Sequence, residues 1–209
     1  MTIIQIYAER CTGSNYLEQL LINNCLNVEV TTTQFGHKHW IPNNLEEKEG
    51  VIYIWLTRNV YDWVRSFWLT PHNAPYHNNL TLSQFIRKPW RSISNGKDMD
   101  LDENNNIFKN VLQMRNYKNN YFLKNNKFVY HICYEELKLN TQQCLQQFAN
   151  KYNITLKNNF TQIHHYVGKS KNPIRNKKYP PFQINDLKFI NSEINFDNEN
   201  KIKYHRLEI

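Results

Sequence analysis

Apolar residues along this chain recur with two periods. Short runs rich in Ile, Val and Tyr at residues 3–7, 28–30, 51–57 and 128–133 predict strands. Residues 51–57 (VIYIWLT) are apolar almost without interruption, the pattern of a central parallel strand buried on both faces. Between these runs the spacing changes to three and four. Leu17, Leu20 and Leu21 mark a first helix, and positions 60, 63, 64, 67 and 68 mark a second behind the N-cap Asn59. Shorter or looser helical patterns cover 81–87, 107–122, the stretch from 134 to 152, and one or two segments within 184–204. Strands alternating with helices predict an α/β fold: an open parallel sheet in three layers, with helices on both faces and right-handed crossovers. The whole of 1–209 is read as one domain, less regular from about residue 158 onward.

Composition narrows the ligand class. The formal charge of +8 and pI near 9.2 favour an anionic ligand or partner. Cysteines at 11, 25, 133 and 144 form no C-x-x-C pair and no metal-type spacing with His, which predicts reduced thiols and no metal site. The N-terminus runs straight into a strand, and no apolar run approaches the roughly 18 residues of a membrane span, so a soluble, cytoplasmic protein is expected. No helix-turn-helix, zinc or RNP-type signature accompanies the basic charge, and no specific nucleic-acid binding is expected.

The candidate chemistry begins where the first strand turns into the first helix. Arg10, Cys11, Thr12, Gly13, Ser14 and Asn15 form a small polar loop at a helix start, where unpaired N–H groups, hydroxyls and a cation make a seat for a phosphate. The nucleoside-triphosphate loop does not fit, because Ala8 replaces its first Gly and Ser14 stands in the Lys place. A cysteine-phosphatase loop does not fit either, because Leu17 stands where its Arg is required; Cys11 is read as a small loop residue. In a parallel sheet, ligands bind beyond the carboxyl ends of the strands. That edge brings residues 10–15 together with Arg58 and Tyr134. Arg58, at a strand end, can pair bidentately with a phosphate, and Ser66, in the second turn of the following helix, can add a hydroxyl. Two such seats imply a doubly phosphorylated nucleotide.

These residues resemble the sulfotransferases that use 3'-phosphoadenosine 5'-phosphosulfate (PAPS). Residues 10–17 (RCTGSNYL) look like the family's 5'-phosphosulfate loop with one extra residue after the basic position. VIYIWLTRNVYDWVRSF resembles its 3'-phosphate signature, with Arg58, Asn59, Asp62 and Ser66 in place and Val60 where Pro is usual. Tyr134-Glu135-Glu136-Leu137 resembles a third signature, whose Tyr lies by the adenine in relatives. The likeness covers roughly residues 1–157. It implies that PAPS is the co-substrate, without a metal, and that a sulfuryl group is passed to a hydroxyl or amine of an unidentified acceptor. It also implies a catalytic base in the segment Gly36-His37-Lys38-His39, where His39 fits and His37 competes, with Lys38 steadying the sulfonate or the departing oxygen. Many members carry Lys where this chain has Cys11, so Arg10 is the nearest catalytic cation in the loop itself. A basic lid over the 3'-phosphate is implied late in the chain, at Gly168 and Lys169 with Lys171 or Arg175. Two other readings stand beside this one: a relative that binds the nucleotide without chemistry, and a nucleotide kinase of similar topology, against which the missing loop Lys argues.

Overall fold

Strand β1 (Thr2–Ala8) passes through a five-residue loop into helix α1 (Ser14–Asn24), and β2 (Val28–Thr31) follows. After a long loop come β3 (Val51–Thr57) and α2 (Val60–Leu69), then α3 (Leu82–Arg87) and α4 (Val111–Lys124). Strand β4 (Val129–Cys133) continues directly into α5 (Tyr134–Leu139), which α6 (Thr141–Tyr152) follows. Helices α7 (Ile184–Glu193) and α8 (Phe196–Lys201) end the ordered elements. The computed structural model describes residues 1–42, 45–91, 104, 106–165 and 179–209.

The four strands form one parallel sheet in the order β2-β1-β3-β4. Strand β3 is central, as its uninterrupted apolar run predicts, and its alternate residues point to opposite sides. Ile52, Ile54 and Leu56 join Ile4, Ile6 and Ala8 of β1 against Leu17, Leu20 and Leu21 of α1 and Leu145 and Phe148 of α6. Tyr53 and Trp55 join Tyr7 on the other face, against Phe122 of α4 and the late residues Ile202 and Tyr204. Helices therefore cover both faces of the sheet. A third apolar cluster lies among α2, α3, α4 and α7, around Trp63, Phe67, Phe85 and Trp90, all fully buried.

Helix starts follow their caps. Asn59 Oδ1 accepts from the N–H groups of Tyr61 and Asp62 at 3.0 and 3.4 Å, and Thr81 and Gln84 form a reciprocal capping box. The periodicity predicts a helix over 107–122, but α4 begins at Val111, because the Asn110 side chain takes the N–H groups of Leu112 and Gln113. The stretch 134–152 is two helices rather than one, broken at Asn140.

Candidate functional site

Three strand ends converge on one edge of the sheet. Beyond β1 the backbone enters the left-handed region twice, at Cys11 (φ 64°) and at Gly13 (φ 95°), before α1 begins. Gly13 is required for two reasons. A side chain there would be strained at that φ, and a Cβ would stand 2.5 Å from two ring carbons of Tyr134. The first residue of α5 thus roofs the loop at the end of β1.

Arg58, at the end of β3, closes the arrangement. Its Nη1 donates to the Cys11 carbonyl at 2.9 Å, and its guanidinium lies 4.9 Å from the centre of the Tyr134 ring. Residues 10–15, Arg58 and Tyr134 therefore meet, as their strand ends predict. Arg58 Nη2 donates to the Tyr179 hydroxyl at 3.0 Å, while its Nε is buried without a partner among the described residues. The peptide unit that carries Arg58 into α2 is held at both ends. Its carbonyl accepts from Arg115 Nη2 at 2.8 Å, and its N–H, on Asn59, donates to Glu135 at 2.9 Å. Glu135 also accepts from the Tyr204 hydroxyl at 2.7 Å, and Arg115 is paired through two nitrogens with Glu199 of α8 at 2.7 and 2.8 Å.

Other loop residues face different ways. Arg10 is 2% exposed, its guanidinium 5.9 Å from the centre of the Trp90 ring and its carbonyl bound by Trp63 Nε1 at 2.8 Å. Thr12 is buried and donates to the Glu9 carbonyl at 2.7 Å; Ser14 is buried at the first position of α1. Cys11 offers Arg58 its backbone oxygen, and its Sγ lies 3.8 Å from the carbonyl and hydroxyl of Thr70. Ser66 is buried within α2, and its carbonyl accepts from the Thr70 hydroxyl at 2.9 Å. Gly168 and Lys169, with Lys171 and Arg175, lie outside the described residues. Trp63, Phe67 and Trp90 are core; Tyr76 is exposed.

The segment of His37, Lys38 and His39 is strung along the end of β1. The Ala8 N–H donates to the Lys38 carbonyl at 2.7 Å, and the Ala8 carbonyl lies 2.7 Å from His39 Nδ1. A carbonyl can only accept, so Nδ1 carries the proton and Nε2 is the basic nitrogen. Burial, opposed by that hydrogen bond and reinforced by Arg10, Lys38 and Lys118, holds His39 well below the usual imidazole range. His37 is also lowered, by burial first and then by the neighbouring cations. Its Nδ1 accepts from the His39 N–H at 3.3 Å, which leaves the proton on its Nε2. The two histidines therefore present opposite faces: His39 an acceptor nitrogen, His37 a donor.

Lys38 brings a second cation to the loop, from outside it in sequence. Its Nζ donates to Asn15 Oδ1 at 2.5 Å and lies 4.0 Å from Glu18, both in the first turns of α1. Burial lowers its pKa, with Glu18 opposing. Behind His39, Lys118 donates to the His39 carbonyl at 2.8 Å and pairs with Glu9 at 2.9 Å.

An open groove of about 440 Å³ lies at the start of α6, lined by Thr141, Gln143, Phe160 and Gln162 among others. It adjoins the first turn of α1 through the Tyr16–Thr141 hydroxyl contact of 3.2 Å, and its lining includes neither the 10–15 loop nor Arg58. Among the described residues, no group of three His, Cys, Asp or Glu side chains is placed to hold a metal ion, and no helix is long and apolar enough to cross a membrane. All four cysteines are free, and burial pushes the thiols of Cys25 and Cys133 up to about 11. Tyr179, Glu135 and Arg115 are the site residues that the sequence reading passed over. Only Glu135 had a signal, as the neighbour of Tyr134 in its motif.

Compared with family models, curated proteins and solved structures, the chain matches none.

Proposed function

We propose that this chain is a PAPS-dependent sulfotransferase, acting on a hydroxyl or amine of a glycan, a small molecule or a protein. The observation that carries the reading is the Arg58 to Cys11 contact under the Tyr134 ring, which joins the two candidate anion seats in one network. In this reading the first turn of α1 with Thr12 and Ser14 receives the 5'-phosphosulfate, and Arg58 with Ser66 receives the 3'-phosphate. His39 Nε2 takes the proton from the acceptor as its oxygen or nitrogen bonds to sulfur and the bridging S–O bond to the 5'-phosphate breaks. A neutral imidazole near pH 7 suits that task, and proton removal of this kind contributes on the order of 10²–10⁴-fold. Lys38, anchored on Asn15, sets a positive charge beside the loop, where negative charge grows on the sulfonate and on the leaving phosphate oxygen.

Cys11 favours a second reading, that of a nucleotide-binding protein without transfer chemistry, because its side chain is directed at Thr70 while its carbonyl is what Arg58 Nη1 binds. Titration calorimetry with 3'-phosphoadenosine 5'-phosphate against ATP, on the wild type and Arg58→Ala, tests the binding site. The bisphosphate is expected to bind more tightly than ATP and to lose that advantage in the variant; equal binding of both nucleotides contradicts both readings. Transfer of labelled sulfate from PAPS to a panel of glycans, phenols and amines separates them, with His39→Ala abolishing transfer while keeping nucleotide affinity.

A further inference from the structure

We propose that Tyr179 is a direct ligand of the phosphate at Arg58 and makes the site select nucleotides that carry a 3'-phosphate. The inference rests on the nucleotide reading above and adds a residue to it. A phenol has one hydrogen to give and two lone pairs to receive. Arg58 Nη2 occupies one lone pair at 3.0 Å, so the Tyr179 hydrogen is turned elsewhere, and among the described residues none accepts it. Accepting from a guanidinium also polarises the phenol and makes its own O–H a stronger donor. The same guanidinium keeps a buried Nε without a partner among the described residues. An oxyanion is the group that accepts from both.

Tyr179 is fixed in place by α2, the helix that follows Arg58. Arg65, on α2, donates to the Pro180 carbonyl at 3.1 Å, and its guanidinium lies 5.1 Å from the ring centre of Tyr179 and 4.6 Å from that of Phe182. Arg65 is itself braced by Asp62 at 2.7 Å and by the Tyr61 carbonyl at 3.2 Å. Phe182 meets Tyr61 edge-on at 6.0 Å. The phenol is thus tied to the helix that follows the guanidinium, and the Tyr134 ring stacks on the same Arg58.

The test is calorimetry with 3'-phosphoadenosine 5'-phosphate and adenosine 5'-phosphate on the wild type, Tyr179→Phe and Arg58→Ala, with thermal melts to confirm folding. Tyr179→Phe removes only the hydroxyl. It is expected to weaken the bisphosphate about tenfold and leave the monophosphate unchanged, the size of a hydrogen bond to a charged group. If Tyr179→Phe binds the bisphosphate as the wild type does while Arg58→Ala loses it, the role of Tyr179 is refuted and the nucleotide reading stands. Equal weakening of both ligands also refutes it, since the hydroxyl would then act through the fold. If the wild type binds the bisphosphate no better than the monophosphate, both the proposal and the reading fall.

Discussion

The Arg115 guanidinium donates to the carbonyl of Arg58 at 2.8 Å while paired with Glu199 through two nitrogens. Arg115 is 1% exposed at its side chain and Glu199 is not exposed at all. A residue of α8 therefore governs the peptide from which the candidate phosphate arginine departs. Removing one member of a buried pair leaves the other charged without compensation, at about 3–5 kcal/mol. Glu199→Ala is expected to lower the free energy of unfolding, measured by urea titration, by that amount, and with it the midpoint. Arg115→Met with Glu199→Leu should recover most of the stability but not the full nucleotide affinity. A wild-type midpoint for Glu199→Ala would contradict this.

Gly13→Ala tests the roof over the loop. Its left-handed φ and the Tyr134 ring at 2.5 Å both oppose a methyl group, and the backbone strain alone is about 1–2 kcal/mol. Nucleotide affinity should fall, and fall less when Tyr134→Ala is made in the same chain, because the clash is then gone. Additive effects in this double-mutant cycle would show that the ring and the glycine do not interact.

Lys38→Met is expected to reduce sulfate transfer about 10²-fold, on the scale of losing one electrostatic contact to the transition state. Affinity for 3'-phosphoadenosine 5'-phosphate should change little. A variant that loses affinity and turnover in equal measure would make Lys38 a binding group.

Transfer should show an acid limb set by His39. The folded-state pKa lies well below 6.5, so the imidazole is already neutral and basic at neutral pH, and activity should be level from about 6.5 upward and fall in the acid range. A limb centred at pH 7 or above would point to another base.

His131 carries a prediction about stability. Its Nε2 lies 2.8 Å from the Thr57 hydroxyl, and burial first, then the charge of Lys203, with Glu136 opposing, pushes its pKa down to about 4 from 6.5. The unfolded chain therefore binds the proton first as pH falls. Stability should be intact above about 6.5 and lost progressively toward pH 4, by up to about 3 kcal/mol. His131→Gln removes the titration, and its urea midpoints should depend less on pH over that window. An unchanged slope would assign the effect to other groups.

The strands, the turn at Gly13 and the cap at Asn59 were legible because each depends on residues close in sequence. The convergence of residues 10–15, Arg58 and Tyr134 followed from topology, since parallel strands place their carboxyl ends on one edge. Lys38 could be singled out from its neighbours, but its anchoring on Asn15 depends on how a loop after β2 returns to β1. Arg10 was read as facing the ligand; its guanidinium lies 5.9 Å from the centre of the Trp90 ring and its carbonyl accepts from Trp63 Nε1, contacts across the fold that local spacing does not announce. Arg115, Glu199 and Tyr204 were not singled out in the sequence, because a buried pair 84 positions apart leaves no periodic trace. Tyr179 closes a basic run whose composition marks only a charged segment.

The two hydrogen bonds that fix the Arg58–Asn59 peptide also set an order of events. They draw on Arg115 and Glu135, and through them on Glu199 and Tyr204, which are made after every strand of the sheet. During translation the loop, β3 and β4 can emerge and pair while the arginine that links them is still unaimed. Aiming of Arg58 is thereby deferred until α8 has been made, and a copy cut short before α8 is expected to leave that arginine unaimed.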